Sequence, residues 1–329
     1  MNTTLRELGR SGAMVSAVGF GCMGLVGWYG TRNDEESRAT LLEAVELGVN
    51  HYDTAATYQL GENERFVGAI LKPFRSRIFL ATKCGISRNA EGGLNVDNSP
   101  EYIRRSIDES LARLGFDYVD LFYLHRIDKT VPIEESMGAM AQLVKAGKIR
   151  HIGLSECSVT TLRRAHAVHP VAAVQSEYSI WSRDPEQGML AACRELGTGF
   201  VAYSPLGRGF LAANFARASD LPKGDARASH PRFQDENAEL NARLVAVLKA
   251  IAQELGASPA QVALAWVLSR AREVVTIPGM KTRAHLGDNL AGGELVLPAH
   301  ALDQIEAALA ASPVAGERHP PAMMQAIDR

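Results

Sequence analysis

The sequence predicts an α/β protein, specifically a (β/α)8 TIM barrel with an N-terminal hairpin and long βα loops at its C-terminal face. Three observations lead there. Short apolar runs rich in β-branched and aromatic residues alternate with stretches of helical periodicity, these runs number eight, and polar residues capable of chemistry stand at their ends. The runs are residues 15–21, 49–53, 78–83, 119–125, 149–154, 172–175, 199–204 and 274–278. Eight such strands suit a closed barrel better than an open doubly wound sheet. No shift in composition marks a second domain, so residues 1–329 read as one unit.

The intervening segments carry helix signals. In residues 35–47, Leu41, Leu42, Ala44, Val45 and Leu47 favour one face of a helix. Ser99-Pro100-Glu101 offers an N-cap, a proline at the first helical position and an acidic first turn; the helix it opens is expected to stop at Gly115. Ser258-Pro259 repeats the device before residues 260–268. Two stretches break the rhythm, 206–238 and the tail from Ala311 onward, both long and punctuated by glycine and proline. Because βα loops build the mouth of a barrel, the first is expected to serve the site.

Composition narrows the partners. With 46% hydrophobic residues and a net charge of -2, the chain lacks the basic excess of a nucleic-acid binder. No apolar run approaches the roughly 18 residues that span a bilayer. The opening MNTTLRELGRSG also lacks the apolar core of a signal peptide, so no membrane association and a cytoplasmic location are expected. Composition leaves homo-oligomerisation open. Cys22, Cys84, Cys157 and Cys193 are scattered, with no CxxC pair and no histidine at ligand spacing, so neither a disulfide framework nor a metal site is signalled.

Gly19-Phe20-Gly21-Cys22-Met23-Gly24 matches the GxGxxG dinucleotide fingerprint. That fingerprint must open a helix directly, whereas residues 25–33 hold further turn-like breaks before any helical pattern. The match reads instead as a glycine-rich first βα loop that lets backbone approach a ligand.

The ends of the second, third and fourth strands carry Asp53, Lys83 and His125, and Tyr58 follows shortly after Asp53. Singly, these read as a turn cap, a surface cation, a core histidine and a packing tyrosine. Jointly, they form a proton-transfer set: Lys83 would stabilise the tyrosinate of Tyr58 and lower its pKa, Asp53 would hold Lys83 charged, and His125 would donate to a carbonyl oxygen. Gly279-Met280-Lys281-Thr282-Arg283 places two cations and a hydroxyl just before a helix N-terminus, a favourable seat for a phosphate.

The run Asn50-His51-Tyr52-Asp53-Thr54-Ala55-Ala56-Thr57-Tyr58 with Gly61-Glu62-Asn63-Glu64, then Ala81-Thr82-Lys83 and Leu124-His125-Arg126, resembles the aldo-keto reductase signature. The likeness continues through Ser155, 175–178, 202–207 and 277–279. It implies NADPH-dependent reduction of an aldehyde or ketone, with Asp53, Tyr58, Lys83 and His125 as the catalytic set. It also implies a cofactor lying against Gly21, Cys22 and Met23, its carboxamide on Ser155 and Gln175 and its ring on Tyr203. Ser204, Pro205, Leu206, Gly207 and Gly279 would follow its pyrophosphate, and Lys281, Thr282, His285 and Asn289 its adenosine half and 2'-phosphate. A small carbonyl substrate is expected among Trp28, Tyr29, the tail near His319 and Arg126; Arg126 reads equally as a contact for an acidic group or as half of a structural ion pair. Many relatives carry asparagine after that serine, but Glu156 stands here. Glutamate cannot donate an amide hydrogen bond, so Ser155 and Gln175 are expected to hold the carboxamide alone. The rival readings are a cofactor-binding regulatory subunit with slow turnover and an aldolase using Lys83 as a Schiff-base nucleophile.

Overall fold

The structure, a computed structural model, describes residues 3–88 and 94–328. A hairpin of β1 (Leu5–Glu7) and β2 (Met14–Ser16) precedes the barrel. The first barrel strand is β3 (Phe20–Gly21), followed by α1 (Asp34–Glu46), β4 (His51–Asp53), α2 (Glu62–Leu71) and β5 (Phe79–Cys84). A second hairpin, β6 (Ile86–Arg88) with β7 (Leu94–Val96), rises from the mouth before α3 (Pro100–Leu114) and β8 (Val119–Leu124). Next come α4 (Ile133–Lys145), β9 (Ile149–Ser155), α5 (Val159–Val168), β10 (Val171–Glu177), α6 (Met189–Leu196) and β11 (Gly199–Tyr203). The chain ends in α7 (Asp235–Leu255), α8 (Pro259–Ser269), β12 (Val274–Thr276), α9 (Arg283–Gly292), α10 (Ala299–Ala311) and α11 (Pro321–Gln325).

The eight strands β3, β4, β5, β8, β9, β10, β11 and β12 pair in that order, each parallel to its neighbour. Parallel bridges from Val18 to Thr276 and from Gly21 to Gly279 close the ring. The closure is tight at Gly21: its N–H donates to the Pro278 carbonyl at 3.0 Å, and a Cβ there would stand 2.5 Å from the Ile277 oxygen. Glycine is required at that point by the approach of two backbones.

Both faces of the sheet are buried, which is why the strands read as continuous apolar runs rather than alternating ones. Phe79, Ala81, Leu121, Tyr123, Ala173, Val201 and Val275 fill the interior together with Leu8 and Val15 from the hairpin end, while Leu80, Phe122, Leu154, Val174 and Phe200 face the helices. The barrel is therefore a packed core plugged from below, and chemistry is confined to the C-terminal mouth.

The helix signals hold at the caps. Ser99 accepts from the Tyr102 N–H, Gly115 ends α3 in the left-handed region, and Ser258 with Gln261 forms a capping box for α8. The stretch 15–21 departs from expectation: it is not one strand. Met14–Ser16 pairs with β1 while Phe20–Gly21 joins the barrel, because Val15 must lie beneath the barrel and Phe20 against the outer helices. The rejected fingerprint leads into a short 3-10 turn, Met23–Val26, and α1 opens only at Asp34. Among the described residues, no helix is long and apolar enough to cross a membrane.

Candidate active site

Asp53 and Lys83 end adjacent parallel strands and are fully buried. The Lys83 ammonium donates to the Asp53 carboxylate, to the Thr54 carbonyl at 2.9 Å and to the Tyr58 hydroxyl at 3.2 Å. Gln175 donates to the other Asp53 oxygen at 2.8 Å, so both carboxylate oxygens are engaged. Burial opposes the Lys83 charge, but attraction from Asp53 and Tyr58 wins and raises its pKa. A lysine held charged this way is a poor nucleophile, which argues against the Schiff-base reading.

Tyr58 reaches the cluster through a backbone device. Gln59 and Leu60 take left-handed angles, φ 47° and 52°, before Gly61 opens α2. Two consecutive non-glycine residues in that region cost on the order of 1 kcal/mol each. The strain turns the chain so that the Tyr58 hydroxyl meets Lys83 while Leu60 stands exposed. The signature residues beyond it brace the turn: Thr54 donates to Asn63 at 2.6 Å, Asn63 donates to the Cys22 carbonyl at 2.8 Å, and Thr82 donates to Glu64 at 2.6 Å.

The expected lowering of the Tyr58 pKa is corrected in its net direction. Burial raises it by more than the Lys83 ammonium lowers it. Tyr58 is thus protonated at neutral pH, the state that a proton donor would need, with the Lys83 ammonium beside its hydroxyl. His125 lies edge-on to the Tyr58 ring with centroids 5.9 Å apart. Burial, reinforced by Lys83 and Arg126, pushes its pKa well below the ordinary value, so the imidazole is neutral, and its Nδ1 has no hydrogen-bond partner among the described residues.

Glu156 sits at φ 53° just past the end of β9, and its carboxylate lies against the ends of β10 and β11. It accepts two hydrogen bonds from Arg318 at 2.7 Å each, one from the Tyr203 hydroxyl at 2.7 Å and one from the Glu177 N–H at 3.0 Å. Glu177 in turn accepts from Arg208 at 2.7 Å and from Ser182 at 2.7 Å. His319 completes the cluster 3.3 Å from the Tyr203 hydroxyl. His319 belongs to the tail expected near the substrate, whereas no role was expected for Glu177, Arg208, Arg232 or Arg318; the glutamate in place of asparagine at 156 was the available signal that a cation had to meet it.

Ser155 and Gln175 remain at the mouth: Ser155 Oγ accepts weakly from Arg126 at 3.5 Å, and Gln175 keeps its carbonyl oxygen free of side-chain donors among the described residues. Ser204, with φ 49°, starts a tight turn in which the Gly207 N–H donates back to the Ser204 carbonyl at 2.9 Å. On the far side, Thr282 caps α9 by accepting from the His285 N–H, and Asn289 reaches the Gly279 carbonyl at 3.5 Å. The two cations expected to face a phosphate are occupied: Lys281 donates to the Tyr29 and Thr31 carbonyls at 2.5 and 2.8 Å, and Arg283 pairs with Glu36. Above the mouth the long loop meets the first one, since Gly30 donates to Asp225 at 2.7 Å, Ala226 to the Trp28 carbonyl at 3.4 Å, and Arg227 lies over the Tyr29 ring at 4.9 Å. A cavity of about 490 Å³ opens between them, lined by Trp28, Gly30, Thr31, Gln59 and residues 222–226. All four cysteines are buried and free, and burial raises every one of their pKa values, as expected of inert core thiols.

A model of the Aldo/keto reductase family matches residues 17–310. The chain belongs to the aldo-keto reductase family. It is similar to the NADP(+) aldo-keto reductase yakc of Schizosaccharomyces pombe, 43% identical over 327 residues that cover 98% of this chain and 96% of that one. A probable aldo-keto reductase 1 of Glycine max is 42% identical over 315 residues, covering 95% and 91%. Among solved structures, the glycerol dehydrogenase AKR11B4 from Gluconobacter oxydans superposes with a TM-score of 0.85 at 27% identity, covering 97% of this chain and 98% of that chain. The holo form of the aldo-keto reductase AKR11C1 from Bacillus halodurans gives 0.78 at 30% identity, covering 96% and 98%.

The Glu156 cluster yields a pH test. Burial raises the Glu156 pKa, but Arg318 overcomes this and holds it down at about 2, against an ordinary 4.5. Its stabilisation is therefore complete above pH 4.5 and is lost as pH falls toward 2. Thermal melts should show the midpoint dropping through that window in the wild type, and Glu156→Gln should start lower at neutral pH, by about 3 kcal/mol, with a flatter decline. Parallel declines in the two proteins would contradict the assignment.

Proposed function

We propose that this protein reduces an aldehyde or ketone to the alcohol with NADPH, Tyr58 giving the proton. The observation that carries this reading is the Lys83 ammonium bridging the Asp53 carboxylate and the Tyr58 hydroxyl at the barrel mouth. The residues around it fit a bound dinucleotide. A Cβ at Gly279 would meet nothing within 4 Å, leaving open space beside the closing seam, and the capped N-terminus of α9 stands just beyond it.

When bound, the reduced nicotinamide supplies the hydride that a carbonyl carbon accepts. Tyr58 Oη passes its proton to the carbonyl oxygen, and Lys83 stabilises the tyrosinate that remains. Asp53 keeps Lys83 charged and oriented. Neutral His125 hydrogen-bonds the carbonyl oxygen as charge develops on it. Ser155 and the free Gln175 carbonyl hold the carboxamide, a division of labour supported by the engagement of Glu156 with Arg318 and Tyr203. Tyr203 presents its ring to the nicotinamide with its hydroxyl tethered to Glu156. Gly21, Cys22 and Met23 flank the cofactor, Ser204, Pro205, Leu206 and Gly207 follow the pyrophosphate, and Trp28 and Tyr29 wall the substrate.

The preference for NADPH rests on Lys281, Thr282, His285 and Asn289, and on the likeness to the NADP(+) aldo-keto reductase of Schizosaccharomyces pombe. Lys281 has spent two of its three donors on loop carbonyls and keeps one for a 2'-phosphate.

Loss of NADPH absorbance with 4-nitrobenzaldehyde tests the chemistry. Tyr58→Phe should slow turnover by about two to four orders of magnitude while NADPH still binds; a fully active Tyr58→Phe would falsify the mechanism. Lys281→Ala should raise KM for NADPH much more than for NADH, and equal changes would remove the phosphate contact.

A further inference from the structure

Arg126 follows His125 at the end of β8 and is only 7% exposed. Its Nη1 donates to the His125 carbonyl at 2.7 Å and to Ser155 Oγ at 3.5 Å. Among the described residues its Nε and Nη2 donate to nothing, and no carboxylate lies within ion-pair reach of it. The structural ion pair that sequence allowed for Arg126 is therefore not formed among the described residues.

The nearby carboxylates are already committed. Asp53 is held by Lys83 and Gln175, Glu156 by Arg318, and Glu177 by Arg208, with Arg232 3.6 Å away. Five buried cations, Lys83, Arg126, Arg208, Arg232 and Arg318, thus face three buried carboxylates, Asp53, Glu156 and Glu177. Among the described residues Arg126 is the one of these cations with no carboxylate at ion-pair distance, although at longer range its charge helps to hold the Glu156 carboxyl down. A buried unpaired guanidinium is costly and is normally matched by an anion. It is also close to the reacting groups: its charge acts on both Tyr58 and His125.

We propose that Arg126 binds a carboxylate of the substrate, so that the preferred carbonyl compounds are oxo acids. The free Nε and Nη2 lie on one edge of the guanidinium, an arrangement that matches the two oxygens of a carboxylate. One end of the substrate would be anchored there while its carbonyl meets Tyr58 and His125. This assignment rests on the reductase reading of the same site, which 4-nitrobenzaldehyde, carrying no carboxylate, tests separately.

The test compares the three carboxybenzaldehyde isomers with their methyl esters, using NADPH. The wild type should favour at least one acid over its ester by about tenfold or more in kcat/KM. In Arg126→Met that ratio should fall by about tenfold, and Arg126→Lys should keep part of it. In parallel, calorimetry on the NADP+ complex should show benzoate binding about tenfold tighter than benzamide in the wild type, the difference vanishing in Arg126→Met. The calorimetry decides the point even if no benzaldehyde is reduced. Equal binding of benzoate and benzamide by the wild type, no preference for any acid over its ester, or a loss in Arg126→Met that is the same for acid and ester would each overturn the proposal.

Discussion

The ion pair between Asp53 and Lys83 organises the mouth of this barrel. Two charges removed from water are tolerable only when their remaining hydrogen-bonding capacity is met. Here Gln175 and the Thr54 carbonyl meet it, drawing on β10 and on the segment after β4. The pair forms where the adjacent parallel strands β4 and β5 end side by side, and the ring that carries them closes where Gly21 meets Ile277 and Pro278. Tyr58 and His125 then acquire their character from the same burial. One stays protonated and the other neutral, the states a proton donor and a hydrogen-bond donor to a carbonyl oxygen need.

A second buried charge network sits beside the first and ties the tail to the strand ends. Glu156, Arg318, Glu177, Arg208 and His319 enclose the Tyr203 hydroxyl, and the Asp328 N–H donates to the Glu156 carbonyl at 3.1 Å. The ring on which a nicotinamide would rest is thus positioned by residues far apart in sequence. The charge of Arg126 acts on groups of both networks, yet among the described residues it has no carboxylate at ion-pair distance.

Much of this was legible in the sequence, for identifiable reasons. Strands buried on both faces appear as plain apolar runs, Ser-Pro caps and a terminal glycine announce helices, and a barrel sends every strand end to one mouth, so Asp53, Lys83 and His125 could be grouped without coordinates. Other features depend on long-range pairing that local pattern does not encode. The stretch 15–21 looks uniform yet serves two sheets, because what divides it is the packing of Val15 beneath the barrel. Arg318, the cation that meets Glu156, lies about 160 residues away. The direction of the Tyr58 shift follows from a contest between burial and a nearby charge, and only the extent of burial decides it. Lys281 and Arg283 read as free cations, but Tyr29, Thr31 and Glu36 had claimed them.

In the proposed mechanism the charge of Lys83, held by Asp53, carries the proton-transfer step. The most direct test is the single-turnover rate of carbonyl reduction by Lys83→Met at saturating NADPH. A fall of about two to four orders of magnitude is expected, with the cofactor still bound. A rate equal to that of the wild type would contradict it.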